Sequence, residues 1–200
     1  MIARLRSALS RQLSNPTGRA GRLVAAAMNR GNRDFNTRAI AALDVRDGAR
    51  VLDLGFGGGL TFPLLLERGA TVVGVDRAED MVAAARERYA GDARVAVHTG
   101  AVEQLPLEDA SVDRVLTVNT VYFWPDLAAA FGELRRVLAP GGRIVVGIRD
   151  FAAMQNLDPD VFTLRPPEEV AAALTAAGFA GAAVDTAADG KTHLVTATRA

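Results

Sequence analysis

From residue 50 onwards the chain alternates short apolar runs with amphipathic stretches of helical period. Short apolar runs bounded by turn residues are typical of buried strands, and longer stretches with apolar residues three or four apart are typical of helices. The pattern predicts strands at 51–54, 71–75, 94–98, 112–119, 143–148, 180–185 and 192–198, with helices at 60–67, 79–90, 127–138 and 167–177. Alternating strands and helices indicate an α/β fold with a doubly wound, mostly parallel seven-stranded sheet. The connection before the last strand is too short for a parallel crossover, so that strand is expected to be antiparallel.

The first 45 residues follow another pattern and predict a helical N-terminal arm or lid in front of a domain of residues 46–200. Residues 1–13 and 22–30 have helical periodicity, and an Asn-Pro-Thr-Gly segment at 15–18 separates them. A third helix, capped by Asp34 and reaching Leu43, would turn one apolar face inward.

Composition narrows the classes of function. The chain has no cysteine and only two histidines, which excludes thiolate chemistry and makes a metal centre an unfavourable interpretation. The formal net charge is zero, so nothing global points to nucleic acid. No apolar run is long enough to span a membrane, and a cytoplasmic protein is expected. Arginine is nevertheless concentrated in residues 1–40, where a docked helix or weak contact with a membrane surface are alternative interpretations.

The first predicted strand leads into a glycine-rich turn at 51–59 (VLDLGFGGG). Asp76 ends the second strand 21 residues after Gly55, and a carboxylate at that place can accept hydrogen bonds from ribose hydroxyls. A dinucleotide site needs Gly-x-Gly-x-x-Gly, but its third position falls on Leu60. Asp53 would also repel a pyrophosphate and attract an ammonium group. A nucleoside joined to an amino acid therefore fits this turn better than a dinucleotide.

The segment 53–59 resembles the first motif of the class I S-adenosylmethionine-dependent methyltransferases, in particular small bacterial members of the type 11 kind. Segments 74–76, 100–107, 111–115 and 138–143 resemble the later motifs in order. The resemblance implies a Rossmann-like sheet of order 3-2-1-4-5-7-6 and S-adenosylmethionine as cofactor. The cofactor residues that it implies are Asp53, Gly55, Gly57, Gly59, Asp76, Met81, Val102 and Glu103. Ala101 departs from the acid that many relatives carry beside the adenine.

The segment 119–125 follows the fourth strand and should lie at the ligand edge of the sheet. Asn119 is expected to meet the methionine ammonium group. Tyr122 and Trp124 either wall the methyl-donor pocket or pack the loop against the arm. Met28 and Asn32, just before the core, resemble the lid of small bacterial relatives and complete the expected substrate pocket.

Candidates for a catalytic role are few. His193 begins the last strand, and Tyr122 is the other candidate, so the catalytic residue is left open. Methyl transfer from a sulfonium can proceed through alignment and desolvation without a dedicated base. The prediction is an enzyme that transfers a methyl group from S-adenosylmethionine to a small-molecule acceptor. The alternatives are a nicotinamide-dependent oxidoreductase and a non-enzymatic protein that binds the cofactor or a lipid surface.

Overall fold

A computed structural model describes residues 32–150 and 158–200 of the chain. The helices and strands follow the predicted alternation, with bounds that differ by a few residues. In chain order they are α1 (Arg33–Ala42), β1 (Arg50–Leu54), α2 (Thr61–Leu66), β2 (Thr71–Asp76), α3 (Glu79–Arg88), β3 (Val95–Thr99), β4 (Val112–Val118), a 3-10 helix (Val121–Phe123), α4 (Leu127–Val137), β5 (Leu138–Arg149), α5 (Pro167–Ala176), β6 (Phe179–Thr186) and β7 (Thr192–Arg199).

The strands form one seven-stranded sheet of order 3-2-1-4-5-7-6, which confirms the predicted topology. Strands β1 to β5 pair in parallel, and β7 runs antiparallel to both β5 and β6. The carboxyl ends of β1, β2 and β4 therefore meet at one edge of the sheet. The strand order changes direction between β1 and β4, and ligands of doubly wound sheets bind at such a switch point.

Apolar side chains cover both faces of the sheet. One face packs against α1, α2 and α3, whose core residues include Ile40, Phe62 and Val82. The other face packs against α4 and α5, which contribute Phe131 and Leu174. Because strands buried on both faces read as continuous apolar runs, this layering accounts for the sequence pattern of β1 and β5.

Helix α1 is part of this core. A Cβ atom added at Gly147 of β5 would lie 3.0 Å from the Phe35 ring, so the helix packs very close to the sheet. Arg143 of β5 donates a hydrogen bond of 2.7 Å to the carbonyl of Ala42 at the end of the helix. The division of the chain at residue 45 into arm and domain stays a prediction. The predicted helices at 1–13 and 22–30, and Met28, lie outside the described residues.

Two local predictions were wrong. Asn32, not Asp34, stands at the N-cap of α1, where its side chain makes no capping hydrogen bond, and Asp34 lies in the first turn. Strand β5 begins at Leu138 rather than at Arg143, because Leu138 already pairs with Val112. A register shift then accommodates the Pro-Gly-Gly segment at 140–142, which the sequence had indicated as a turn between helix and strand. Within the described residues no helix is long and apolar enough to cross a membrane.

Candidate active site

A cavity opens at the switch point of the sheet. Its walls come from the turn after β1, the end of β2, the loop after β3, the end of β4 with the 3-10 helix, and the start of α1. The lining comprises residues 53–58, 60–61, 76–77, 100–103, 118–120 and 123–124, together with Asn32 and Asn36. The cavity thus brings together seven of the nine predicted cofactor residues.

Asp76 is buried at the end of β2 and connects two backbone segments. Its Oδ2 accepts a hydrogen bond from the Gly57 amide at 2.8 Å, and its Oδ1 accepts one from the Ala78 amide at 2.9 Å. Burial raises the pKa of the Asp76 carboxyl, and these two amides oppose the rise. Each carboxylate oxygen can accept more than one hydrogen bond, so Asp76 holds the glycine turn and can still receive hydroxyl donors.

Asp53 lies in the buried part of β1, one residue before the end of the strand, and is only 3% exposed. The Thr61 hydroxyl at the start of α2 donates a hydrogen bond to its Oδ2. Burial, with a smaller contribution from the nearby Asp76 carboxylate, raises the pKa of Asp53 to about 7. No described residue forms an ion pair with Asp53. A cationic ligand group beside Asp53 would supply the compensation that the described residues do not.

The glycines of the turn meet two different requirements. Gly55 has a φ of +71°, and a Cβ there would lie 2.4 Å from Cγ2 of Thr120, so the turn and the β4 loop pack directly together. Gly57 has a φ of +50° with open space around it, and its amide donates a hydrogen bond to Oδ2 of Asp76. Gly59 also has a positive φ but does not line the cavity; its amide donates to the carbonyl of Phe56.

The loop after β3 forms the wall of the cavity farthest from β4. Ala101, Val102 and Glu103 line the cavity, and an isolated bridge between Ala101 and Gln104 tightens this loop. Ala101 has only a methyl side chain and so offers no acceptor to the adenine, in line with the departure noted in the sequence. Met81 of α3 lies in the apolar core and is not part of the lining.

The segment after β4 divides its aromatic side chains between core and cavity. Tyr122 is buried against Phe162, and its hydroxyl accepts a hydrogen bond from the Arg149 amide and lies 3.4 Å from Oδ1 of Asn119. Phe123 and Trp124 line the cavity. Burial raises the pKa of Tyr122 well above its ordinary value of 10, which disfavours a phenolate base. Trp124 lines the cavity and also packs edge-to-face on Phe131 in the core, whereas Tyr122 is outside the lining.

Asn119 has a φ of +60°, a left-handed conformation that Asn tolerates better than most residues. Its backbone N–H donates a hydrogen bond to the carbonyl of Gly147 on β5 at 2.9 Å, and the residue lines the cavity. Asn32 also lines the cavity, and its Oδ1 accepts a hydrogen bond from the Arg149 guanidinium. The ends of β4 and β5 are thus tied to the start of α1.

The histidines lie elsewhere. His193 lies near the start of β7, where it pairs with Ile148 of β5, and its Nδ1 is 2.9 Å from the Thr186 hydroxyl. It does not line the cavity. His98 of β3 is also outside the lining. Across residues 32–150 and 158–200 no group of three or more acidic or histidine side chains is arranged to hold a metal.

Among the cavity residues that the sequence did not predict, three carry a polar or aromatic side chain of interest: Thr61, Phe123 and Asn36. Thr61, which bonds Asp53, could have been found from its place in the first turn after the glycines. Phe123 stands between two aromatics that were considered. Asn36 carries no motif, but it interrupts the apolar stripe of α1, and a polar residue in such a stripe is a signal.

Comparison with known proteins agrees with this geometry. Residues 52–146 match the family model described as a methyltransferase domain. An uncharacterised methyltransferase of Mycobacterium bovis is 41% identical over 118 residues, which are 59% of this chain and 47% of that protein. The demethylmenaquinone methyltransferase of Clavibacter sepedonicus is 37% identical over 141 residues, 70% of this chain and 56% of that protein. The chain thus spans about half the length of these relatives.

The fold is also that of a solved protein. The crystal structure of an S-adenosylmethionine-dependent methyltransferase from Aquifex aeolicus superposes with a TM-score of 0.70 at 21% identity, covering 100% of this chain and 97% of that one. At this identity the likeness concerns the fold, while the family model and the relatives concern the sequence. Residues 52–146 therefore match a methyltransferase domain in sequence, and the chain shares the fold of a solved S-adenosylmethionine-dependent methyltransferase.

Proposed function

We propose that the protein transfers a methyl group from S-adenosylmethionine to a small-molecule acceptor. The observation that carries the proposal is the pair of buried carboxylates, Asp53 and Asp76, at the ends of adjacent strands in one cavity. A ligand that suits this pair has hydroxyl groups for one carboxylate and a cationic group for the other. A nucleoside that carries an amino-acid moiety has both.

The residues present fit this cofactor. Asp76 would accept from the ribose hydroxyls, and Gly55 and Gly57 allow close approach of the ligand to the backbone. Val102 and Glu103 would border the adenine from the loop after β3. Asp53 and Asn119 would receive the methionine end. The cofactor, when bound, supplies an electrophilic methyl group on a sulfonium.

The protein's contribution to transfer would be positioning and exclusion of water. Phe123 and Trp124 line the cavity beside the end of β4, and aromatic faces favour a neighbouring sulfonium cation. Neither His193 nor Tyr122 lies in the lining, so no described residue is assigned as a base. Alignment of an acceptor in a desolvated pocket can supply most of the acceleration in such a displacement.

The acceptor is proposed to be small because the described chain contains no inserted substrate domain beyond the sheet and its helices. The Clavibacter relative is named for a small quinone substrate, which supports the class of acceptor without identifying it. The basic residues that precede α1 are proposed either to cover the cavity or to contact a membrane surface weakly. Co-sedimentation with anionic liposomes, with and without residues 1–16, separates the two, and unchanged partitioning would remove the lipid interpretation. A cytoplasmic location and the absence of a nucleic-acid partner are likewise proposals.

Asp76→Asn tests the proposal. The variant keeps the size of the side chain but loses the charge-assisted hydrogen bonds to the ribose, so the affinity for S-adenosylhomocysteine should fall by about 100-fold or more. Calorimetry measures the affinity, and circular dichroism shows whether the fold is kept. Wild-type affinity in a folded variant would contradict the assignment. Incubation of the wild-type protein with methyl-labelled cofactor and a metabolite extract would then identify the acceptor.

A further inference from the structure

Helix α1 contributes one polar side chain to the cavity that neither the motifs nor the proposed function uses. Asn36 is only 7% exposed and lines the cavity together with Asp53 and Thr61. Its neighbours on the inner face of the helix, Phe35 and Ala39, are apolar core residues. An asparagine at this place destabilises the fold in two ways. It is a poor helix former, and burying its side-chain amide is unfavourable unless the amide is hydrogen-bonded.

The side-chain oxygen of Asn36 lacks a hydrogen-bond partner among the described residues. Its Oδ1 is buried and accepts no hydrogen bond from any residue that the structure describes. Most buried polar side-chain atoms are hydrogen-bonded, so an unpartnered oxygen on a residue that lines the cavity requires an explanation. Its neighbour Asn32, one helical turn earlier, differs in that its Oδ1 already accepts from Arg149.

The position of α1 determines which part of a ligand Asn36 would meet. The cavity runs from the loop after β3, past Asp76 on β2 and Asp53 on β1, to the end of β4. Helix α1 packs against α2 and against β4 and β5, at the far end from the β3 loop. If Asp76 takes the ribose, Asn36 lies on the side of Asp53, beyond the ribose and away from the adenine.

We propose that Asn36 is a cofactor-binding residue whose Oδ1 accepts a hydrogen bond from the ammonium group of the methionine moiety, beside the carboxylate of Asp53. The inference rests on the proposed function, since it needs the nucleoside to bind with its ribose on Asp76. It adds a determinant on the N-terminal helix for the amino-acid part of the ligand. The cavity thereby distinguishes a complete cofactor from a nucleoside that lacks this part.

Two ligands separate the contributions of Asn36. S-adenosylhomocysteine carries the amino-acid group, whereas 5′-methylthioadenosine has the same adenosine and thioether without it. Asn36→Leu keeps the branching of the side chain, with two larger methyl groups in place of the amide oxygen and nitrogen, and cannot accept a hydrogen bond. The variant should bind S-adenosylhomocysteine about 10- to 100-fold more weakly than the wild type and bind 5′-methylthioadenosine within about twofold of it. Calorimetry on the full chain measures both affinities.

Stability supplies a second readout. Asn36→Leu removes a buried oxygen without a partner, so the ligand-free protein should unfold at a temperature about 2–6 °C higher. Asn36→Ala should lose the same affinity for S-adenosylhomocysteine without the gain in stability, because it leaves a cavity. Thr37→Ala is the matched control on the same helix, since Thr37 is exposed and its hydroxyl donates to the carbonyl of Arg33. It should leave both affinities unchanged.

The outcomes separate this inference from the proposed function. If the wild type does not bind S-adenosylhomocysteine, the proposed function fails. If the wild type binds it and Asn36→Leu binds it equally well, only the role of Asn36 is overturned. An equal loss of affinity for both ligands would also overturn it, since Asn36 would then shape the cavity without contacting the amino-acid group.

Discussion

The carboxylate of Asp53 should make the ligand-free protein less stable at high pH than a variant that lacks the charge. The perturbation is Asp53→Asn, which keeps an oxygen to accept the Thr61 hydroxyl and removes the ionisable group. Because Asp53 is buried without an ion-pair partner among the described residues, ionising it in the folded state is unfavourable.

The magnitude follows from the two pKa values. Burial raises the pKa of Asp53 from 3.8 to about 7, so the folded state holds a proton that the unfolded state has lost over that range. The stability contributed by this proton is fully present below pH 3.8 and is lost as the pH rises through about 7. The difference corresponds to about 4 kcal/mol as an upper limit. Asp53→Asn should therefore be more stable than the wild type by about 2–4 kcal/mol at pH 8 and by less than about 1 kcal/mol at pH 4.

Urea unfolding of the ligand-free proteins at pH 4, 6 and 8 measures this difference. Glu87→Gln is the control, because it removes a negative charge from an exposed position of α3. A gain for Asp53→Asn that does not grow between pH 4 and pH 8 would refute the electrostatic reasoning.

Asp53→Asn should weaken the binding of the cofactor although it stabilises the ligand-free protein. Without the Asp53 carboxylate, the affinity for S-adenosylmethionine at pH 8 should fall by about 10- to 100-fold, because a charge-assisted interaction is lost. A residue whose replacement raises stability and lowers affinity is placed for binding rather than for folding. A variant that gained stability and kept its affinity would contradict the role of Asp53 at the methionine end.

Two further predictions concern the wall between β1 and β4. Gly55→Ala should destabilise the fold by about 2–4 kcal/mol, since its Cβ would overlap Cγ2 of Thr120 in a positive-φ conformation; adding Thr120→Ser removes that methyl group and should restore part of the loss in urea unfolding. If the double variant is no more stable than Gly55→Ala, the overlap is not the cause. Tyr122→Phe should cost about 1–2 kcal/mol, because the Arg149 amide loses its acceptor, while the affinity for S-adenosylhomocysteine stays within about threefold of wild type. A hundredfold weaker affinity would instead assign Tyr122 to the cavity.

Local sequence signals predicted the residues whose position depends on a strand end. Asp76 ends β2, Asp53 lies one residue before the end of β1, and Asn119 directly follows β4. Parallel strands bring their carboxyl ends to the same edge of a sheet. The order of the strands came from the family resemblance, because alternation alone does not specify which strands are neighbours. The antiparallel last strand followed from the length of one connection.

Side-chain direction was harder to predict where the backbone is irregular. Tyr122, Phe123 and Trp124 are consecutive, yet only Phe123 and Trp124 line the cavity, and Trp124 also packs against Phe131 in the core. The spacing of apolar residues in this segment does not predict which of these side chains line the cavity. Asn36 reaches the cavity only because α1 packs on the sheet beside β4 and β5, which is a tertiary contact without a sequence motif.

Calorimetric titration of the full chain with S-adenosylhomocysteine and, separately, with NAD tests the central claim most directly. The two buried carboxylates and the misplaced third glycine position predict saturable binding of S-adenosylhomocysteine at about one molecule per chain, with no binding of NAD at the same concentration. Binding of NAD in preference to S-adenosylhomocysteine would contradict the account.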